Sequence, residues 1–211
     1  MIKSLILTLA FLCLSSCGNF FTLEQTQQLF KDNILGKPDL DVTKELFDSF
    51  EYSFAKIKVG KSSPIIVVLV SADKDLMHWI SSERVSFYTV HGKIIKTSGL
   101  DHDINYLDYP ITQKISNIVN IDESYQIDFL NPQLYSALSL SRFEFKDNRI
   151  INYLEDDIQT ITYSELLSMP QINWRHTNQY IWSSDYNKVI KTIQKFHPFV
   201  DEIVMEFYYK K

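Results

Sequence analysis

The sequence predicts a mainly β protein, built of curved antiparallel sheets (barrel-like or sandwich) with one or two N-terminal helices. Three observations carry this. After Tyr52 the hydrophobic period changes from helical to two, so that Ala55, Ile57 and Val59 alternate with Lys56 and Lys58. "RVSFYTVHGKIIKTSG" holds two strand-like runs around His91-Gly92, where Gly accepts the positive φ of a tight hairpin turn. The closing "EIVMEFYYK" places Ile203, Met205, Phe207 and Tyr209 on one face.

Residues 18 to 50 read as a helical lead-in. Thr22 and Gln25 fit a capping box, Leu23, Phe30, Ile34 and Leu35 follow at roughly helical spacing, and Gly36 supplies a stop. "KPDLDVTKELFDSF" predicts a turn and a second short helix with Val42, Leu46, Phe47 and Phe50 on one side. "PIIVVLVS", 64 to 71, is apolar and β-branched throughout, as expected of a central strand covered on both faces. "DKDLMHWISS" suggests a short helical turn. Residues 101 to 123 suggest a long connection. Strands are then expected at 125 to 130, 136 to 146, 149 to 154 and 158 to 163, with a hairpin tip at Asp147-Asn148 and a further hairpin around Asp185 to Asn187. "HGKIIKT" and "YNKVIKT" echo each other, which suggests two related β units, about 50 to 110 and 125 to 211. Any amphipathic strand after a turn gives the same echo.

The first 16 residues read as an export signal: Lys3, an apolar run from Leu5 to Leu14, then small residues. The run is shorter than the about 20 residues a spanning helix needs. Leu14-Ser15-Ser16-Cys17 resembles a bacterial lipobox. That implies cleavage before Cys17 and acylation of its thiol and of the new amino group; two acyl chains already anchor stably. Gly18 takes the place of the Asp that retains enterobacterial lipoproteins in the inner membrane, so by analogy it favours sorting to the outer membrane. The mature domain would run from 17 to 211, and its formal charge shifts from −5 to −6 with the loss of Lys3. A mildly acidic chain without a basic cluster is a poor partner for nucleic acid. With Cys13 removed and Cys17 lipidated, no thiol remains for a disulfide, a metal or nucleophilic catalysis.

No nucleophile elbow, phosphate loop or dinucleotide turn is present. Of the five histidines, only His102, in "DHD", is flanked by carboxylates, and a polar loop reads the same way. No catalytic residue, metal or cofactor is therefore assigned. "EDD", 155 to 157, reads as a solvated turn. The aromatic residues are the remaining candidates. Trp79, Trp174 and Tyr180 are proposed as sugar or ligand contacts, against the alternative that such rings fill a β core. Trp182 fits the core.

Residues 46 to 100 resemble the group 4 capsule lipoproteins GfcB and YjbF. Tyr52-Ser53, the apolar strand 65 to 70 followed by Trp79, and the run from Gly92 to Thr97 carry that resemblance. Asn178, Tyr180, Trp182, Val189 and Gln194 match a second block. Asn187 stands near the usual second turn glycine, Asp108-Tyr109-Pro110 replaces Asp-Pro, and 111 to 170 match weakly. The resemblance implies a non-enzymatic outer-membrane lipoprotein facing the periplasm of a Gram-negative cell. It also implies partners in an outer-membrane β-barrel and a soluble periplasmic protein of a polysaccharide export system, and polysaccharide as a ligand. A carrier of LolA or LolB type for a lipidated molecule is the alternative, and predicts an apolar cavity. A polysaccharide hydrolase is a third, and predicts a cleft with two close carboxylates.

Overall fold

The computed structural model describes residues 40–109 and 121–210. The chain divides into two units, Met1–Pro38 and Asp39–Lys211, and every described residue lies in the second. The export signal, Cys17, Gly18 and the first expected helix lie outside the described residues.

A short helix α1 (Lys44–Ser49) precedes twelve strands: β1 (Phe54–Val59), β2 (Ile65–Asp73), β3 (Leu76–Ser81), β4 (Ser86–Val90), β5 (Lys93–Ser98), β6 (Ile104–Tyr106), β7 (Ile121–Leu130), β8 (Gln133–Tyr153), β9 (Asp156–Met169), β10 (Trp174–Ser183), β11 (Lys188–Gln194) and β12 (Ile203–Tyr208). Each strand pairs with the next, and β12 pairs antiparallel with β1, which closes a barrel. Closure leaves no open sheet edge among the described strands.

The alternation of β1 sets its two faces. Ala55 and Ile57 point into the barrel core with Val67, Trp79, Met205 and Phe207. Phe54 faces outward and seeds a second cluster with Tyr153, Ile158, Ile190 and Tyr208. Helix α1 covers that cluster. Thr43 caps it by accepting from the Leu46 N–H at 3.2 Å. Val42, Phe47 and Phe50 pack down on it, with the Phe50 and Phe54 rings 4.3 Å apart. Such an apolar side chain contributes roughly 1.5–3 kcal/mol on burial. The chain end joins in: Lys210 Nζ lies 4.0 Å from the Phe47 ring centroid and donates to the Phe47 carbonyl at 2.7 Å.

Strand alternation sorts the turns. The β2–β3, β4–β5, β8–β9 and β10–β11 turns share one end with α1. The β7–β8, β9–β10 and β11–β12 connections share the other.

Four expectations are corrected. "DKDLMHWISS" is the turn and second strand of the β2–β3 hairpin, with Leu76–Ser81 as strand β3 rather than helix. Its turn uses Lys74 at φ 56 in place of a glycine. Residues 64 to 71 are covered only in part: Val67 is buried and Ile66 packs against the outer cluster, but Ile65 and Val70 are 42% and 52% exposed. The long connection shortens, because Ile104–Tyr106 is β6 and β7 begins at Ile121. Asp147-Asn148 continues the 21-residue β8 as paired strand, just past a bulge between Phe145 and Asp147 where Lys146 is the extra residue. The real turn is Leu154-Glu155, both at positive φ (53° and 71°), with the twist of a type I′ hairpin. The hairpins at His91-Gly92 and Asp185–Asn187 form where expected.

Candidate functional site

Twelve strands enclose more space than the eight whose interior side chains just fill. Part of this interior is occupied by a polar knot to which every strand from β5 to β11 contributes. Lys93 of β5 is 2% exposed and Glu165 of β9 is 0% exposed. Lys93 Nζ pairs with Glu165 Oε1 and donates to Ser141 Oγ at 3.1 Å. Ser141 of β8 donates to the same carboxylate oxygen at 2.6 Å. The other oxygen, Oε2, accepts from Tyr180 OH at 2.6 Å and from Asn178 Nδ2 at 3.0 Å, both on β10. Tyr180 also reaches Gln194 of β11 at 3.3 Å. Gln194 in turn donates to the Gly92 carbonyl at 2.7 Å and accepts from the Ile94 N–H at 3.0 Å, which ties the knot back to β5.

The rings of Tyr106, Tyr109, Tyr125 and Phe143 stand 5.1 to 5.7 Å from Lys93 Nζ. A cation ringed by π faces is stabilised as a cation. Burial alone pushes the Lys93 ammonium down, but the Glu165 charge and hydrogen bond outweigh it and hold it above its ordinary value. Burial likewise pushes the Glu165 carboxyl up. The Lys93 charge and the hydrogen bonds from Lys93, Ser141 and Tyr180 reverse that and hold it below the usual carboxylate range. Both groups are therefore charged at neutral pH. The four donors to Glu165 found among the described residues come from β5, β8 and β10, so the knot cross-braces the barrel.

The surface site lies at the end of the barrel opposite α1. A 3-10 turn, Pro170–Ile172, links β9 to β10 and ends at Asn173, which sits in the left-handed region (φ 48°, ψ 45°). Trp174 follows and stands between two clefts. One, of about 280 Å³, is mainly apolar and includes Phe129, Leu134, Ile172, Trp174 and Phe199. The other, of about 460 Å³, is more polar and includes Ser168, Asn173, Trp174 and Arg175. The floor of the apolar cleft is a ring stack: His197 lies 4.9 Å from His102 and 4.8 Å from Phe129. His197 Nδ1 accepts the Phe199 N–H at 3.1 Å. Burial, then the neighbouring His102 and Lys195, pushes the His197 imidazole down to about 4. Phe199 itself is 65% exposed.

The three aromatic candidates do not converge. Trp79 is fully buried, donates its indole N–H to Thr89 Oγ1 at 2.9 Å and leans on Phe207. Tyr180 is fully buried and serves Glu165. Trp174 alone of the three lines a surface cleft. Trp182, expected in the core, is partly buried against it and lines a cavity of about 260 Å³ at the α1 end. Sequence reasoning missed Lys93, Glu165 and Phe199. The first two lie 72 positions apart on strands whose pairing no local pattern reveals. A lysine and a glutamate at strand positions read as a wet face.

A family model described as group 4 capsule polysaccharide lipoprotein gfcB, YjbF matches residues 27–207. No curated protein matches. Among solved structures, the hypothetical lipoprotein YmcC of Escherichia coli K12 aligns with a TM-score of 0.70 at 16% identity, over 92% of this chain and 99% of that one. At that identity the likeness shows the fold. A structure from Parabacteroides distasonis, at TM-score 0.35 and 12% identity over 77% of this chain and 96% of that one, carries no argument.

Proposed function

Because the chain belongs to the group 4 capsule polysaccharide lipoprotein family GfcB/YjbF, we propose that it is a non-enzymatic accessory factor in the secretion or assembly of a capsule or exopolysaccharide. In this reading Cys17 carries the lipid and Gly18 directs the protein to the periplasmic face of the outer membrane. The barrel then meets polysaccharide, an outer-membrane β-barrel or a periplasmic partner through its surface. The observation that carries the reading is the family match across residues 27–207. The family description names no enzymatic activity.

The geometry supports binding over turnover. Glu165, the one fully buried carboxylate among the described residues, is held by a lysine and three neutral donors. A carrier of LolA or LolB type needs an apolar cavity that side chains leave open. Here Trp79, Phe87, Phe143, Tyr180 and Phe207 are packed into the barrel at 2% exposure or less. Packing of that kind disfavours an acyl chain inside.

Deletion of the gene tests the reading, under conditions where the surface polysaccharide is made. Loss of surface polysaccharide, restored by the wild-type chain and poorly by Cys17→Ala, is expected. Unchanged surface polysaccharide in the deletion strain refutes it.

A further inference from the structure

We propose that the paired clefts around Trp174 bind a segment of a carboxylate-bearing polysaccharide, an assignment that rests on the accessory role above and names its ligand-binding site. A pyranose ring has an apolar C–H face and a polar hydroxyl edge. Trp174 offers the matching pair, with apolar surface from Phe129, Leu134, Ile172 and Phe199 on one side and a polar cleft on the other. Small-ligand sites occupy roughly 300–1,000 Å³, and the two clefts, about 280 and 460 Å³, together fall in that range.

The polar cleft is supplied with unused hydrogen-bonding capacity. The Asn173 backbone N–H is consumed by the Pro170 carbonyl at 3.1 Å. Its side-chain amide, the Ser168 hydroxyl and the Arg175 guanidinium make no hydrogen bond to a described residue. Arg175 is exposed and forms no ion pair with a described carboxylate, unlike Arg142 and Arg149, which hold Asp122 and Asp147. An unpaired guanidinium lining the same cleft as Trp174 suits a planar carboxylate, which it can grip through two parallel N–H bonds.

The test uses the full mature chain and short oligosaccharides cut from the source bacterium's own surface polysaccharide, native or with their carboxylates chemically reduced. Tryptophan fluorescence and titration calorimetry read the binding. Native oligosaccharides are expected to bind. At least tenfold weaker binding is expected for Trp174→Leu, and several-fold weaker binding for Arg175→Gln and for the carboxyl-reduced ligand. Trp174→Leu keeps apolar bulk, and thermal unfolding confirms that it folds; exposed Arg175→Gln provides a variant remote from the core. Equal binding by both variants overturns the site. Equal binding of reduced ligand overturns the carboxylate. If the deletion strain loses its polysaccharide but the purified chain binds none of it, this assignment falls while the accessory role stands. If deletion has no effect, the accessory role falls first.

Discussion

Neutralising either member of the Lys93–Glu165 pair should be strongly destabilising, and neutralising both should cost clearly less than the sum of the two single changes. Lys93→Met keeps the length of the side chain and removes its charge. Glu165 then remains ionised inside the barrel with only Ser141, Tyr180 and Asn178 as donors. Breaking a buried pair in this way costs about 3–5 kcal/mol. Glu165→Leu does the reverse, leaving the Lys93 ammonium with Ser141 and four ring faces. The double variant leaves no uncompensated charge, so its loss should fall short of the sum of the two singles by roughly 2–3 kcal/mol. Urea unfolding of the mature chain carrying Cys17→Ser measures each term. In thermal scans each single variant should fall by roughly 6–20 °C, since about 2–4 °C accompanies each kcal/mol in a chain of this size. Two results would refute the reasoning: a single variant within about 1 kcal/mol of wild type, or a double variant as unstable as the sum of the singles. The pH dependence supplies a second check. Glu165 sits below its unfolded value, so its contribution is present above about pH 4.5 and is lost as pH falls through the lower folded value. Lys93 sits above its unfolded value of 10.5, so its contribution holds below that pH and fades as pH rises through the folded value.

Three further outcomes are expected. His197 binds a proton more weakly folded than unfolded, so stability should decline from about pH 6.5 towards about 4, and His197→Asn should flatten part of that slope in pH-dependent thermal scans. Gly92→Ala should destabilise by at least about 1 kcal/mol: Gly92 has φ +80°, and a Cβ there would stand 2.7 Å from Val189 Cγ1. Chemical denaturation measures it. Tyr153→Phe removes the bond from its hydroxyl to the Phe207 carbonyl at 2.7 Å and should cost about 0.5–1.5 kcal/mol in the same assay, with no effect on surface polysaccharide.

Legibility in the sequence followed the range over which each signal acts. The class of fold was readable because Ala55, Ile57 and Val59 alternate locally, and so was the His91-Gly92 turn, where one residue type declares the backbone. The turn between β8 and β9 was readable in place from the carboxylate run Glu155 to Asp157, though not in its Leu154-Glu155 conformation; the polar run Asp147-Asn148-Arg149 suggested a further turn where the strand continues. Helix α1 was readable from its apolar side, Val42, Leu46, Phe47 and Phe50. Closure into one barrel was beyond reach, because the pairing of Phe54 with Tyr208 leaves no mark on either segment. The candidate site divides in the same way. Trp174 was singled out for its residue type. Its two clefts depend on how the β7–β8, β9–β10 and β11–β12 connections meet, and no pattern within any one of them encodes that meeting.

The seam between β1 and β12 also sets the order of assembly. The strand that completes the cylinder is the last to emerge from any vectorial passage across a membrane. Until Ile203–Tyr208 arrives, β1 and β11 each present a row of unpaired backbone groups, the kind of edge that recruits foreign strands. Contacts between residues some 150 positions apart form slowly. A nascent chain is thus exposed to mispairing for most of its delivery. A stop codon that removes only the final strand would leave a polypeptide with two adhesive borders, a substrate for chaperones and proteases.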